Sequence, residues 1–201
     1  MQRRSFLDAL LSAAAATALS PLLAEARPEA STRQPARQPT RSIRYLRPPG
    51  ARPEEEFLAH CIHCGQCGEV CPNRCIQYFG VENGLRSLDT PYIVPREQAC
   101  ILCMKCGEVC PTDAIQPVAR ELAPILGKVR MGRARVDERL CLSFQGKTCG
   151  VCYRACPLQD VAIRVGRLEQ PQVLEACVGC GLCERSCIQI PQAIRIIPDY
   201  G

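Results

Sequence analysis

The stretch C-I-H-C-G-Q-C-G-E-V-C-P at residues 61–72 decides the fold of this protein, because its cysteine spacing recurs along the chain. Residues 100–111 read C-I-L-C-M-K-C-G-E-V-C-P, and residues 177–187 repeat the spacing C-x2-C-x2-C-x3-C, with Ile188 where the proline would be. Another group, at residues 141–156, has seven residues between its first two cysteines. In chain order these groups are the first (61–71), second (100–110), third (141–156) and fourth (177–187) motifs.

This spacing suits an iron–sulfur cluster. Three thiolates two residues apart can wrap a tight loop around one face of a cubane cluster, with backbone N–H groups turned toward its sulfides. Glycines inside the motifs, such as Gly65 and Gly179, allow that close approach. In two-cluster ferredoxins the fourth cysteine of one motif ligates the cluster of the other. The motifs predict four [4Fe–4S] clusters with sixteen ligands: Cys61, Cys64, Cys67, Cys71, Cys100, Cys103, Cys106, Cys110, Cys141, Cys149, Cys152, Cys156, Cys177, Cys180, Cys183 and Cys187.

Two other uses of clustered cysteines fit the pattern less well. Structural zinc sites usually combine two close ligand pairs across a long gap, often with histidine, whereas each group here is compact and the chain has only two histidines. A disulfide framework does not require one spacing three times. With 17 cysteines, no tryptophan and 4% aromatic residues among 201, the core is expected to be filled partly by bound clusters.

Short apolar segments accompany the motifs at similar offsets. Ala114-Ile115, Ala162-Ile163 and Ala193-Ile194 follow the second, third and fourth motifs, and Tyr92–Val94 and Gln172–Leu174 precede the second and fourth. Read as strands, they predict an α+β fold of two ferredoxin-like dicluster modules built from four cysteine-motif repeats. The gaps permit pairing of the first motif with the second and the third with the fourth, or a nested scheme.

The N-terminal part is predicted to stay outside the folded unit. Residues 1–26 are typical of a cleaved twin-arginine signal, with Arg3 and Arg4 before a short apolar run and a small-residue site ending at Ala26, although a general secretory signal is the alternative. Residues 27–53 hold six prolines and seven arginines and predict a disordered linker. The polyferredoxin region is then 54–201. The net charge of +5 lies in the leader and linker, which argues against nucleic-acid binding.

Several polar or reactive residues lie outside the sixteen ligands. We interpret Cys75 as a small buried side chain beside the first cluster, with a substitute ligand or redox-active thiol as the alternative. His60 and His63 are expected to be exposed loop residues, although they could donate hydrogen bonds to cluster sulfur. A basic segment before the third motif is either a solvated loop or a contact for an acidic redox partner. It contains Lys128, Arg130, Arg133, Arg135 and Arg139.

Electron relay is the function that these features favour. The sequence has no G-x-G-x-x-G or phosphate-binding loop and no C-x-x-C-H haem motif, so a flavin, nicotinamide or covalent haem enzyme is not expected. Two alternatives stay open: an iron–sulfur enzyme or sensor with a labile cluster in the irregular third motif, and a scaffold in which clusters only support folding.

The leader R-R-S-F-L at residues 3–7, the four motifs and the total length resemble the ferredoxin-type proteins of the NapG/MauM family. That resemblance implies an electron-transfer subunit, not an enzyme, exported to the periplasm, where it can associate with the outer face of the inner membrane. It implies a membrane-bound ferredoxin-type quinol dehydrogenase as electron donor. A periplasmic c-type cytochrome or terminal reductase, of the nitrate reductase or methylamine utilisation type, would accept the electrons. The sixteen motif cysteines correspond to the family's cluster ligands.

Overall fold

The structure is a computed structural model that describes residues 45–199. The predicted leader, 1–26, and the predicted linker as far as residue 44 lie outside the described residues. Within them, short helices alternate with short strands, which is the mixed helix and strand class that the sequence predicts.

Four short helices each follow the second cysteine of a motif and contain its third cysteine. They begin directly after a residue with left-handed backbone, namely Gly65, Met104, Gly150 and Gly181. The helices between residues 45 and 199 are α1 Glu54–His60, α2 Gln66–Glu69, α3 Lys105–Glu108, α4 Leu122–Lys128, α5 Val151–Arg154 and α6 Leu182–Ser186, with 3-10 turns at Val81–Asn83 and Arg167–Glu169.

The strands form antiparallel pairs around the motifs. In the described residues they are β1 Gln77–Tyr78 with β2 Pro91–Tyr92, β3 Gly132–Val136 with β6 Ile194–Pro198, and β4 Ile163–Val165 with β5 Pro171–Val173. In the C-terminal half, β3 precedes the third motif and pairs with β6, which follows the fourth, while β4 and β5 lie between those motifs. The N-terminal half has β1 and β2 between its motifs, and an isolated bridge from Ala51 to Ile115 where β3 and β6 would be.

The core combines aliphatic side chains with cysteines. Its larger part includes Leu46, Ile93, Met104 and Val129, and its smaller part surrounds Phe57. Cysteines from all four motifs contribute to these two groups, and eight cysteines are buried. Because the aliphatic side chains meet at cysteine-lined spaces, the core is organised around the motifs.

Residues 45–53, which we assigned to the linker, are part of the folded region. The backbone groups of Leu46 and Ile93 exchange two hydrogen bonds of 2.8 Å. The buried guanidinium of Arg47 donates to Glu54 (2.5 and 2.8 Å) and to the carbonyl oxygen of Pro91 (2.7 Å), and it lies 4.5 Å from the ring centre of Phe57. The proline and arginine content predicts disorder here. The segment is ordered instead, because one of its arginines has buried partners that composition does not reveal.

Candidate iron–sulfur centres

The loops of three motifs share an unusual backbone conformation. In the first, second and fourth motifs, the residues directly before and after the second cysteine have positive φ: His63 and Gly65, Leu102 and Met104, Gly179 and Gly181. Residues that depart from the usual helical or extended conformation in this way turn neighbouring N–H groups toward one concave side, which suits an anionic group. Glycine is the residue expected in this conformation, but Leu102 and Met104 adopt it as well, at a cost typical of functional sites.

Three cavities are each lined by four motif cysteines. The first thiol set is Cys61, Cys64 and Cys67 of the first motif with Cys110 of the second. The third set is Cys141, Cys149 and Cys152 with Cys187, and the fourth set is Cys177, Cys180 and Cys183 with Cys156. The cavities have similar empty volumes, about 370 to 380 Å³. In every case the fourth cysteine crosses over from the other motif of the pair.

The remaining motif cysteines, Cys71, Cys100, Cys103 and Cys106, are assigned to the second thiol set by elimination, because the three cavities use the other twelve. The Sγ atoms of Cys71 and Cys75 are 3.5 Å apart, and Cys75 is also hydrogen-bonded to Cys100. Burial, followed by the charges of Cys103, Cys67 and Cys71, raises the pKa of Cys106 to about 12. The structure therefore pairs the first motif with the second and the third with the fourth. The longer spacing between Cys141 and Cys149 does not remove the third motif from this scheme.

Burial governs the protonation of several motif thiols. It raises the pKa of Cys180 to about 12 and that of Cys152 to about 11, in each case as the largest influence. Burial also tends to raise the pKa of Cys110, but the N–H groups of Ile115 and Thr112 outweigh it, so that this pKa is lowered. Because metal binding needs thiolates, iron must displace protons from the buried thiols, and raising the pH favours that exchange.

The two halves meet at the second and fourth thiol sets. The N–H of Cys100 donates to the carbonyl oxygen of Cys180 at 3.0 Å. Beside this contact, the guanidinium of Arg96 donates to the carbonyl oxygens of Glu184, Arg185 and Cys187, at 3.0 to 3.2 Å. Since the first set adjoins the second and the third adjoins the fourth, the spatial order of the sets is first, second, fourth, third.

The sets can be tested for their fit to a cluster by the donors that they contain. Thiolate sulfur is the ligand that [4Fe–4S] clusters use, and the first, third and fourth sets each line a cavity with four thiols. The donors of these three sets therefore fit a four-iron cluster. Between residues 45 and 199 no group of three or more His, Cys, Asp or Glu side chains is arranged to hold a single metal ion.

Known proteins share these motifs. Residues 60–114 match the family model of the 4Fe-4S dicluster domain. Over 98% of its length the chain is 36% identical to the methylamine utilization ferredoxin-type protein MauM of Methylorubrum extorquens, covering 89% of that protein. It is 41% identical to the ferredoxin-type protein NapG of Escherichia coli, over 76% of this chain and 70% of NapG. The chain belongs to the NapG/MauM family of ferredoxin-type proteins. It is thus an iron–sulfur, electron-transport type of protein, as its motifs predict.

Hydrogen-bond donors surround the thiol sets of this ferredoxin-type protein. The Tyr78 hydroxyl donates to the carbonyl oxygen of Gly65 (2.5 Å) and accepts from the N–H of Gly68 (3.0 Å), which supports the turn between these two residues of the first motif. The N–H groups of Ile115 and Ala193 each lie 3.4 Å from the Sγ of a fourth cysteine, Cys110 and Cys187 respectively. Sequence reasoning missed Tyr78, because its role depends on the pairing of β1 with β2.

The residues outside the sixteen cysteines lie only partly where the sequence predicts them. His60 and His63 are both exposed, as expected, and the His60 ring contacts the carbonyl oxygen of Glu56. Cys75 is buried, as expected, but it lies between Cys71 and Cys100 of the second set and not beside the first. The side chains of the basic segment are exposed, with Arg133 and Arg135 on strand β3 instead of in a loop. No helix between residues 45 and 199 is long and apolar enough to cross a membrane.

Proposed function

We propose that this ferredoxin-type protein binds four [4Fe–4S] clusters through its sixteen motif cysteines and relays electrons between two redox partners. The observation that carries the proposal is the crossing of cysteines between paired motifs, because two-cluster ferredoxins complete their ligand sets in this way. Each half of the chain would then be one dicluster module. When bound, the clusters supply one-electron redox chemistry, and the chain holds them without changing their ligands.

The spatial order of the thiol sets supports transfer along a line. The second and fourth sets are inner sets, and Cys100, Cys106, Cys180 and Cys183 within them are all buried. The first and third sets are outer sets. Ile62 in the first motif's loop is 61% exposed, and beyond Cys187 of the third set Ile188 and Ile190 are 61% and 88% exposed. Electrons would enter and leave through these outer sets, where a partner can approach.

The location and partners of the protein are also part of the proposal. The twin-arginine pattern at residues 1–26 supports export of a folded, cofactor-loaded protein to the periplasm. By analogy with the family, a membrane-bound ferredoxin-type quinol dehydrogenase would supply electrons, and a periplasmic c-type cytochrome or terminal reductase would accept them. Peripheral association with the outer face of the inner membrane follows from such a donor. The exposed Arg133 and Arg135 on β3 offer a basic surface to an acidic partner.

An iron–sulfur enzyme or sensor is the alternative, with a labile cluster in the third motif. It would need an iron with an open coordination position. Cys187 lines the cavity together with Cys141, Cys149 and Cys152, so four thiols are at hand despite the insertion. This complete set favours an electron carrier over an enzyme.

Anaerobic purification of the mature protein tests the proposal. Four four-iron clusters require about sixteen irons and sixteen sulfides per chain, and a spin-resonance redox titration should resolve reversible one-electron steps. Incubation with membranes that contain the quinol-oxidising partner should reduce the clusters. About four metal ions per chain with zinc among them, or clusters that no quinol or partner reduces, would refute the relay.

A further inference from the structure

One buried hydroxyl of the described part of the chain has no partner. Ser143 is 1% exposed, and its Oγ is the one buried side-chain nitrogen or oxygen of residues 45–199 without a hydrogen bond. Buried hydroxyls are nearly always hydrogen-bonded, because an unsatisfied group loses the water contacts that it would have in solution. The isolated Oγ therefore indicates an acceptor that the protein itself does not supply.

The surroundings of Ser143 identify that acceptor. The residue lines the third cavity together with Cys141, Cys149, Cys152 and Cys187. In the occupied site, the sulfur atoms of these thiolates and of the bound cluster are the acceptors at hand. Serine can donate one hydrogen bond through its O–H, and sulfur in such a site carries negative charge.

The insertion in the third motif holds Ser143 in this position. The N–H groups of Phe144 and Gln145 bond to the carbonyl oxygen of Cys141 at 3.1 and 3.2 Å, and the N–H of Lys147 bonds to that of Leu142 at 3.0 Å. The side-chain amide of Gln170 donates to the carbonyl oxygen of Ser143 itself at 3.3 Å. These bonds fix the backbone on both sides of Ser143, so the residue stays at the wall of the cavity.

We propose that the Ser143 hydroxyl donates a hydrogen bond to a sulfur atom of the third cluster or of its thiolate ligands and thereby raises the reduction potential of that cluster. The inference rests on the proposed function, since it needs a cluster in the third set. Reduction adds one electron and makes the cluster more negative, so a donor at its sulfur stabilises the reduced form more than the oxidised form. The insertion would then serve to tune one end of the relay.

The test compares matched variants of the intact, cluster-loaded protein. Ser143→Ala removes the hydroxyl, Ser143→Thr keeps it, and Thr148→Ala removes an exposed hydroxyl from the same insertion. A Cys187→Ser variant assigns the spin-resonance signal of the third cluster. We expect S143A to lower the ratio of reduced to oxidised third cluster about tenfold at a fixed potential, which equals 59 mV for a one-electron couple. S143T and T148A should keep the wild-type ratio.

A second readout does not depend on the potential. After exchange into deuterium oxide, pulsed spin resonance of the reduced wild-type third cluster should detect the exchangeable proton as a deuteron coupling, which is lost in S143A and kept in T148A. An unchanged potential and an unchanged proton coupling in S143A would overturn the inference, and so would an equal shift in T148A. Failure of the proposed function looks different, because the wild type itself would then lack sixteen irons.

Discussion

The N–H of Cys100 donates to the carbonyl oxygen of Cys180 at 3.0 Å, so residues from two different thiol sets are joined by one hydrogen bond. This contact is one of several hydrogen bonds between the two halves, together with those from Arg96 to the carbonyl oxygens of Arg185 and Cys187. It explains why the fourth set, and not the third, follows the second in space.

Gly181→Ala should weaken this junction. A Cβ at Gly181 would lie 2.6 Å from the Cβ of Pro95, and φ is +87°. We expect the free energy of unfolding to fall by about 1–3 kcal/mol. We also expect slower reduction of the third and fourth clusters after the first is reduced, as measured by rapid-freeze spin resonance. Gly84→Ala is the control, because φ is +92° there but nothing lies within 4 Å of an added Cβ. Equal slowing in both variants would contradict the assignment of the junction.

Single cysteine substitutions should reveal the crossing of ligands. Cys110→Ser should alter the same spin-resonance signal as Cys64→Ser, because both line the first cavity. Cys71→Ser should instead match Cys103→Ser, and each variant should lose up to about four irons. If Cys110→Ser matched Cys103→Ser, each motif would ligate its own cluster and the crossed arrangement would be wrong.

Tyr78→Phe should make the first cluster labile. The change removes the hydroxyl that bonds to Gly65 and Gly68, at a cost of about 1–2 kcal/mol, and leaves only the direct bond from the Gly68 N–H to the Gly65 carbonyl oxygen across this turn. We expect faster loss of iron from the first set to a chelator, with the other sets unaffected. Tyr153→Phe is the matched control, because that hydroxyl bonds to the exposed Asp160. The same acceleration of iron loss in both variants would argue against a stabilising role for the Tyr78 hydroxyl.

Arg47→Ala should destabilise the N-terminal half. It leaves Glu54 without its partner and removes the cation from the Phe57 ring, and losing one partner of a largely buried ion pair costs about 3–5 kcal/mol. The midpoint for urea-induced loss of cluster absorbance should fall. Arg52→Ala, which breaks a more exposed pair with Glu56 and one hydrogen bond to the carbonyl oxygen of Asp113, should cost about 1 kcal/mol. A midpoint unchanged in R47A would mean that residues 45–53 do not contribute to the fold as described.

Cys75→Ala should keep all of the iron. Four motif thiols already form the second set, and Cys75 lies beside two of them as a buried side chain. Removing it should cost about 1 kcal/mol of stability and leave about sixteen irons per chain. Iron and sulfide analysis of the purified variant measures this directly. Loss of about four irons would make Cys75 a ligand.

The sequence predicted most of the secondary structure near the motifs. The strands expected at Ala162-Ile163 and Ala193-Ile194 overlap β4 and β6, because apolar pairs beside the motifs must pack on the cysteine-lined cavities. Ile115 forms only an isolated bridge to Ala51 and not a full strand. The segment before the first motif turns at Pro48 and Gly50, so it runs alongside Ile115 only briefly. The packing of residues 45–53 escaped prediction because much of it depends on distant residues such as Pro91, Ile93 and Ile115.

By itself the sequence determined the kind of chemistry. Cysteine spacing is a local property, and three thiols two residues apart can surround one face of a cluster whatever the rest of the chain does. Only the tertiary structure decided which motifs exchange their fourth cysteines, that the halves meet through Cys100 and Cys180, and that Tyr78 and Ser143 face thiol sets. These features depend on distances between residues far apart in the chain. Cysteine spacing cannot encode such distances, and the packing of the paired strands around the cysteine-lined cavities establishes them.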